Sequence, residues 1–340
     1  MADGYQPVDS PDQTTVFPYH ELTPPTTADV YEAREQVSRH LPKTPLVRSD
    51  WLSEELDADI YLKREDTLPT GAFKIRGGIA LGANVDEEFR EHGLIAASTG
   101  NHGQSVAYAG QKFNVPATIC VPEDVNQSKV SSMETYGADI KYYGEDYDEA
   151  RTRAEEMAVE RQYRYVHSAN EPDLVAGVGT AGLEIVEELP DVDLVFSPIG
   201  GGTCASGFCL TIGDILGSDV IGVQSAQAPA AHRAWEEGHL KPHDRMETTA
   251  EGLATRVPFA MTMDILRDKL SDFVLVDDEA TLDALRDMIV RSGIIMEGAC
   301  ATTIAAALAH PELVRGQTVV LPVTGRNLAA DKLSWLLEGR

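Results

Sequence analysis

Short runs rich in β-branched residues alternate with amphipathic stretches along almost the whole chain, and this alternation restricts the fold more than any other feature. The strand-like runs are DIYLKR, GLIAAS, PATICV, DIKYYG, YRYVHS, DLVFSPI, DVIGVQS, DFVLVD and TVVLPVT. The helical stretches between them include 102–113, 146–162, 174–188, 203–215, 278–291, 298–309 and 327–337. Strand–helix–strand alternation predicts a parallel sheet with helices on both faces. More than eight such units predict two α/β domains, each an open twisted parallel sheet, and 340 residues suffice to give both a core. The expected division is a large domain from 1–92 and 166–340, with a small domain at 93–165 between its halves. The first 25 residues carry Pro and Asp and predict a loose arm. There is no internal repeat and no low-complexity segment.

Charge excludes some functions. Asp and Glu number 55 against 28 Lys and Arg, a formal net charge of -27. The acids are scattered, as in DEEFREHG and EDYDEARTRAEEMAVE, which predicts a solvated acidic surface. Such a surface repels nucleic acid and anionic membrane, both of which require neutralisation by Lys and Arg. It also repels itself and is stabilised by salt screening, so a high-salt cytoplasm is the expected setting. No apolar run is long enough to span a bilayer. The start, MADGYQPVDSPDQTT, has no basic segment followed by an apolar one, so no secretory signal is read and a cytoplasmic location is expected. The cysteines Cys120, Cys204, Cys209 and Cys300 form no CxxC pair and are expected as free thiols. His239 and His243 have a ligand-like spacing, but no cysteine is near and a surface loop is the better reading. No metal site is expected.

In open parallel sheets, ligands bind beyond the carboxyl ends of the strands, so the strand-to-helix junctions are where chemistry is sought. Four stand out. In DTLPTGAFKIRGG, a turn runs into Lys74, set between Phe73 and Ile75 at a helix start. A lone lysine there is more often exposed than used. Held among apolar groups at the positive end of a helix, however, its amine loses charge and becomes nucleophilic enough for a Schiff base. In ASTGNHGQS, Ser98, Thr99, Gly100, Asn101 and His102 form a small polar loop at a helix start. That loop suits a carboxylate, although helix capping alone would also use it. In SPIGGGTCASG, Gly200, Gly201 and Gly202 let backbone N–H groups approach a phosphate at a helix N-terminus. This loop also meets the dinucleotide fingerprint through Gly200, Gly202 and Ala205. The acidic residue that fingerprint needs after the next strand is missing, because Gln224 and Ser225 stand there. In LPVTGRNL, Thr324 presents a neutral hydroxyl at a strand end, where it would also serve as a helix cap.

One ligand needs all four. Pyridoxal phosphate requires an amine, a phosphate cradle, a partner for its ring nitrogen and a place for the substrate carboxylate. The order lysine, asparagine loop, glycine loop, hydroxyl resembles the fold-type II pyridoxal-phosphate enzymes, which are tryptophan synthase β-like in architecture. Within them it is similar to the serine/threonine dehydratases (threonine ammonia-lyases), which include the serine racemases. The resemblance spans about residues 28–336, through TPLVRSDWLSEELDADIYLKREDTLPTGAFKIRGG, ASTGNHGQSVAYAG, EPDLVAGVGTAGLEI and MEGACATTIAAALAH. It implies that Lys74 holds the cofactor aldehyde and acts as the base, and that Phe73 packs beside the ring. Asn101 would bond the ring hydroxyl. Gly200, Gly201, Gly202 and Thr203 would bind the phosphate, and Thr324 would face the ring nitrogen. Ser98, Thr99, Gly100 and His102 would flank the substrate carboxylate.

The chain departs from the family in four places. Thr203 replaces a fourth glycine, which leaves the backbone N–H intact. Ala72 stands where serine is common before FK. Thr99 replaces the serine that racemases use as an acid–base group, so racemisation is not expected. Gln224 and Ala230 stand where metal-binding members carry acids. The effector domain that feedback-regulated relatives carry after this point is also not expected.

The activity implied is α,β-elimination of L-threonine, with L-serine beside it, to a 2-oxo acid and ammonia, in a homodimer or homotetramer. A neutral Thr324 makes the ring a weaker electron sink, which favours prompt loss of the β-hydroxyl. The alternatives are a threonine synthase-like or other β-replacement enzyme, a nicotinamide-dependent dehydrogenase using the Gly200 loop, and a non-catalytic binder.

Overall fold

A computed structural model describes residues 23–244 and 246–338. The loose arm expected for the first 25 residues lies almost wholly outside the described residues. The ten strands are β1 (Leu46–Arg48), β2 (Asp59–Lys63), β3 (Leu94–Ala97), β4 (Ala117–Val121), β5 (Asp139–Tyr142), β6 (Arg164–Tyr165), β7 (Leu194–Pro198), β8 (Asp219–Ser225), β9 (Asp272–Val276) and β10 (Thr318–Pro322). They form two sheets, ordered β1-β2-β10-β7-β8-β9 and β5-β4-β3-β6. Every pair is parallel except β1 with β2. All nine expected strands are present, and the class is α/β with two parallel sheets, as the alternation predicts. The strand that sequence reading missed, β1, has three residues, too few to carry a periodic signal.

The helices match closely as well. The largest difference is at the end, where the helix expected over 327–337 spans Ala330–Leu337. Its first turn is lost because Asn327 is bonded elsewhere: its backbone N–H donates to Glu297 and its side chain to Thr70. The stretch 203–215 is helical but changes type, from α over Thr203–Phe208 to π over Cys209–Leu216.

Successive residues of the large sheet's strands feed opposite cores, because side chains alternate across a sheet. Val195, Val220 and Val320 join one apolar cluster. Leu194, Phe196, Ile221, Val319 and Leu321 join the other. Both faces are covered by helices, which is why these strands read as continuous apolar runs. Each such side chain, fully buried, contributes about 1.5–3 kcal/mol.

The helix Ile75–Ala83 lies where the two sheets meet, packed on helices Asn101–Phe113 and Pro172–Glu188. Its glycines set the spacing. A Cβ on Gly77 would stand 2.8 Å from the Leu174 carbonyl oxygen, and one on Gly78 would stand 2.6 Å from that of Ser105. Beside the helix start is a buried ionic network. Arg76 donates to Glu65 and Glu184, and Lys63 donates to Glu184 and to the Thr44 carbonyl. Two cations thus face two carboxylates, which satisfies the requirement that buried charges be paired.

Candidate active site

Three segments of the large sheet converge at the carboxyl ends of adjacent strands. After β2, a short 3-10 turn (Glu65–Thr67) and the Pro69–Gly71 turn carry the chain to Lys74. After β10, residues Thr324 to Arg326 run back along that turn. The Phe73 N–H donates to the Thr324 carbonyl and the Arg326 N–H to the Gly71 carbonyl, with an antiparallel bridge between Ala72 and Gly325. After β7 comes the glycine loop. Asn101 arrives from the other sheet, at the start of the helix that follows β3.

One cavity is lined by Phe73, Lys74, Asn101, Pro198, Gly200, Gly201, Gly202, Thr203, Cys204, Gly252, Leu253, Glu297, Ala299 and Thr324. It gathers every residue expected to bind cofactor. Lys74 is packed about by protein but open at its tip to the cavity. Its nitrogen lies 5.1 Å from the centre of the Phe73 ring, and nothing hydrogen-bonds it among the described residues. Burial lowers its pKa, with Cys204 and Glu297 opposing. An amine with less charge and no partner is a competent nucleophile.

The glycine loop is built for close approach. A Cβ on Gly200 would stand 2.3 Å from the Gly252 carbonyl oxygen. Gly202 has φ +89°, a conformation costly to residues with side chains, and sits at the N-terminus of the helix beginning at Thr203. The N–H groups of Gly200, Gly201 and Gly202 have no acceptor among the described residues. Three open donors at a helix start form a phosphate cradle, so the residues present fit pyridoxal phosphate. A wider groove on the small sheet's side is lined by Asp146, Asp148, Glu149 and Glu156 and would repel a phosphate.

Thr324 is buried. Its hydroxyl lies 3.0 Å from the Cys300 thiol, which also donates to the Gly325 carbonyl. Burial, with Glu297 adding to it, pushes the Cys300 thiol up to about 12, so the thiol beside the Thr324 hydroxyl stays neutral.

The polar loop is placed differently from the rest. Of its five residues, Asn101 lines the cavity. Ser98 Oγ accepts from the N–H groups of Gly100 and Gly103, capping the helix. A Cβ on Gly100 would meet nothing within 4 Å, so open space lies over the loop. Thr99 is half-buried. His102 turns inward and bonds the Val166 carbonyl at 3.0 Å; burial lowers its pKa to about 4, so its ring is neutral.

Sequence reasoning missed Glu297, Asn327 and the thiols of Cys204 and Cys300. Glu297 had a signal, a lone acid in the apolar run IIMEGACA. Gln224 is fully buried, and its amide oxygen accepts from the His232 N–H at 3.0 Å.

The pyridoxal-phosphate dependent enzyme family matches residues 37–325. L-threonine ammonia-lyase of Thermotoga maritima is 34% identical over 314 residues, 92% of this chain and 78% of that protein. The catabolic L-threonine dehydratase of Staphylococcus aureus is 32% identical over 315 residues, 91% of each chain. Among solved structures, the processed threonine deaminase isoform 2 of Solanum lycopersicum superposes with a TM-score of 0.86 at 29% identity, covering 95% of this chain and 98% of that one. Serine racemase of Dictyostelium discoideum superposes at 0.84 with 27% identity, covering 90% and 99%. Fold, cavity and relatives agree, and the chain belongs to the pyridoxal-phosphate dependent enzymes.

Proposed function

We propose that this protein is a threonine ammonia-lyase that converts L-threonine to 2-oxobutanoate and ammonia, and L-serine to pyruvate and ammonia more slowly. The observation that carries the reading is the unpartnered Lys74 amine, which shares one cavity with the three-glycine loop and Thr324. Lys74 Nζ would anchor the cofactor and would serve as the base that takes the substrate's α-proton. Phe73 packs beside the cofactor ring, and Asn101 donates to its hydroxyl oxygen. Gly200, Gly201, Gly202 and Thr203 hold the phosphate through backbone N–H groups. Thr324 bonds the ring nitrogen as a neutral hydroxyl. When bound, the cofactor supplies an electron sink for charge developing at the substrate α-carbon. Ser98, Thr99, Gly100 and His102 flank the substrate carboxylate, mainly through backbone N–H groups at the helix start. Lys74 would take the α-proton and pass a proton to the departing β-hydroxyl, which leaves as water, and one water consumed in hydrolysis would give 2-oxobutanoate and ammonia.

The cavity's charge favours a neutral side chain. Among the described residues lining it, Lys74 is the single cation and Glu297 the single acid. A substrate with a second carboxylate would face Glu297 with no cation to offset it. We read 93–165 as a small domain that covers the substrate, and the active form as a cytoplasmic homo-oligomer of a salt-adapted cell, with no nucleic-acid or membrane partner. None of the described helices is long and apolar enough to cross a membrane.

The test is Lys74→Ala. The variant is expected to keep the fold and to lose both turnover and the borohydride-sensitive absorption band of bound cofactor. An assay of 2-oxo acid release should rank L-threonine first and hydroxyaspartate last. Wild-type turnover in Lys74→Ala would refute the assignment.

A further inference from the structure

Asn101 does not stand free in the cavity. Its amide is held from both sides by groups that no family role accounts for. Asn101 Nδ2 donates to both oxygens of Glu297 at 2.9 Å. Asn101 Oδ1 accepts from Asn327 Nδ2 at 2.7 Å. Asn327 Nδ2 also donates to the Thr70 carbonyl at 2.9 Å, and the Asn327 backbone N–H donates to Glu297 Oε1 at 3.0 Å.

The direction of each bond is forced. A backbone carbonyl can only accept, so Asn327 must turn its nitrogen to Thr70. That nitrogen then faces Asn101, which must answer with its oxygen. An ionised carboxylate also only accepts, so Asn101 must turn its nitrogen to Glu297. Both ends of the chain of bonds select the same amide orientation. The two oxygens of one carboxylate lie too close together to take both N–H groups of Asn101, which diverge at the trigonal angle. One N–H therefore remains for the cavity, and the Asn101 oxygen is already used.

We infer that Glu297 is a positioning residue which, with Asn327, locks Asn101 as a hydrogen-bond donor and places one fixed negative charge beside the Lys74 nitrogen. The inference rests on reading this cavity as the cofactor site. A donor-only Asn101 favours a ring oxygen that accepts, which is its deprotonated form. The negative charge favours a proton on the Lys74 nitrogen. Both effects move the shared proton from ring oxygen to nitrogen, the arrangement that makes the cofactor electron-poor. The charged and titratable groups facing Glu297 are Lys74, Glu251 and the neutral thiol of Cys300. Glu251 opposes the Glu297 charge more than Lys74 favours it, and Glu251 is itself paired with Lys129 and Lys332. Burial raises the Glu297 pKa, and the bonds from Asn101 and Asn327 oppose that rise by favouring the charged form.

The experiment titrates the absorption band of the holoenzyme with pH, in wild type and in Glu297→Gln, Glu297→Asp and Asn327→Ala. In Glu297→Gln the midpoint at which the Lys74 nitrogen loses its proton is expected to fall by about one pH unit or more, the scale of one removed neighbouring charge. Its kcat should fall more than its KM changes, and Glu297→Asp should restore part of the midpoint. Asn327→Ala, at an exposed position, keeps the fold, frees the Asn101 oxygen and should shift the midpoint in the same direction. A Glu297→Gln titration that overlays wild type overturns the inference. If Glu297→Gln does not fold, an unshifted Asn327→Ala overturns it. A wild type with no borohydride-sensitive band would instead refute the reading of the cavity itself.

Discussion

Replacing Arg76 by methionine tests how much the buried ionic network beside the start of the Ile75–Ala83 helix contributes to stability. Arg76 is fully buried, two residues after Lys74, and donates to Glu65 at 2.6 and 2.9 Å and to Glu184 at 2.7 and 2.9 Å. Methionine fills the stem's space but donates nothing. Glu184 would keep Lys63 at 2.7 Å and the Thr44 N–H at 3.2 Å. Glu65 would keep only the Thr44 hydroxyl at 2.6 Å. One buried carboxylate is therefore left without a cation. Orphaning a buried charge in this way costs about 3–5 kcal/mol. Against a total of about 5–15 kcal/mol, that is a large share of the protein's stability. Urea unfolding followed by far-UV circular dichroism, at fixed salt and neutral pH, reads the change. The double variant Arg76→Met with Glu65→Leu removes the orphaned charge and should recover at least about 1 kcal/mol of the loss, as expected for directly coupled partners. A single variant that loses less than about 1 kcal/mol would refute the reasoning, as would a double variant less stable than the single.

Two further outcomes are expected. Stability and turnover should rise with potassium chloride into the molar range, because a net charge of -27 is then screened; a protein equally stable in dilute buffer would contradict the salt-adapted reading. Chelator treatment at fixed ionic strength should leave the rate unchanged, since Gln224 and Ala230 bring no carboxylate to the segment after β8 and hard cations need that charge. A rate lost to chelator and restored by magnesium would show a cation site elsewhere.

The parts of this molecule legible in the sequence are those governed by local rules. Runs rich in β-branched residues marked nine strands, and glycine clusters marked the Lys74 turn and the phosphate loop. The junctions after β2, β7 and β10 meet in one cavity because adjacent parallel strands end on the same side, and the loop after β3 of the other sheet joins them through Asn101. The illegible parts depend on partners far apart in sequence. Glu297 and Asn101 meet across 196 residues, and no local pattern announces that contact. Lys63 looks like an ordinary strand-end lysine and is buried only because Glu184 lies beyond it. His102 was expected to flank the substrate carboxylate, and the bond between its ring and the Val166 carbonyl, 64 residues away, has no local signal. Strand β1 was invisible because three residues carry no period.

The position of β10 governs the order in which the molecule can be assembled. The last strand among the described residues does not lie at an edge; it is inserted between β2 and β7, pairing Val319 with Ile60 and with Leu194. Until it emerges, β2 and β7 each present an open edge able to pair with another chain. The four-stranded sheet, by contrast, comes from one unbroken stretch between β3 and β6 and can close early. Thr324 follows β10 directly, and its segment braces the turn that holds Lys74. The cavity therefore has no existence until β10 has joined the large sheet and brought the Thr324 segment against the Lys74 turn.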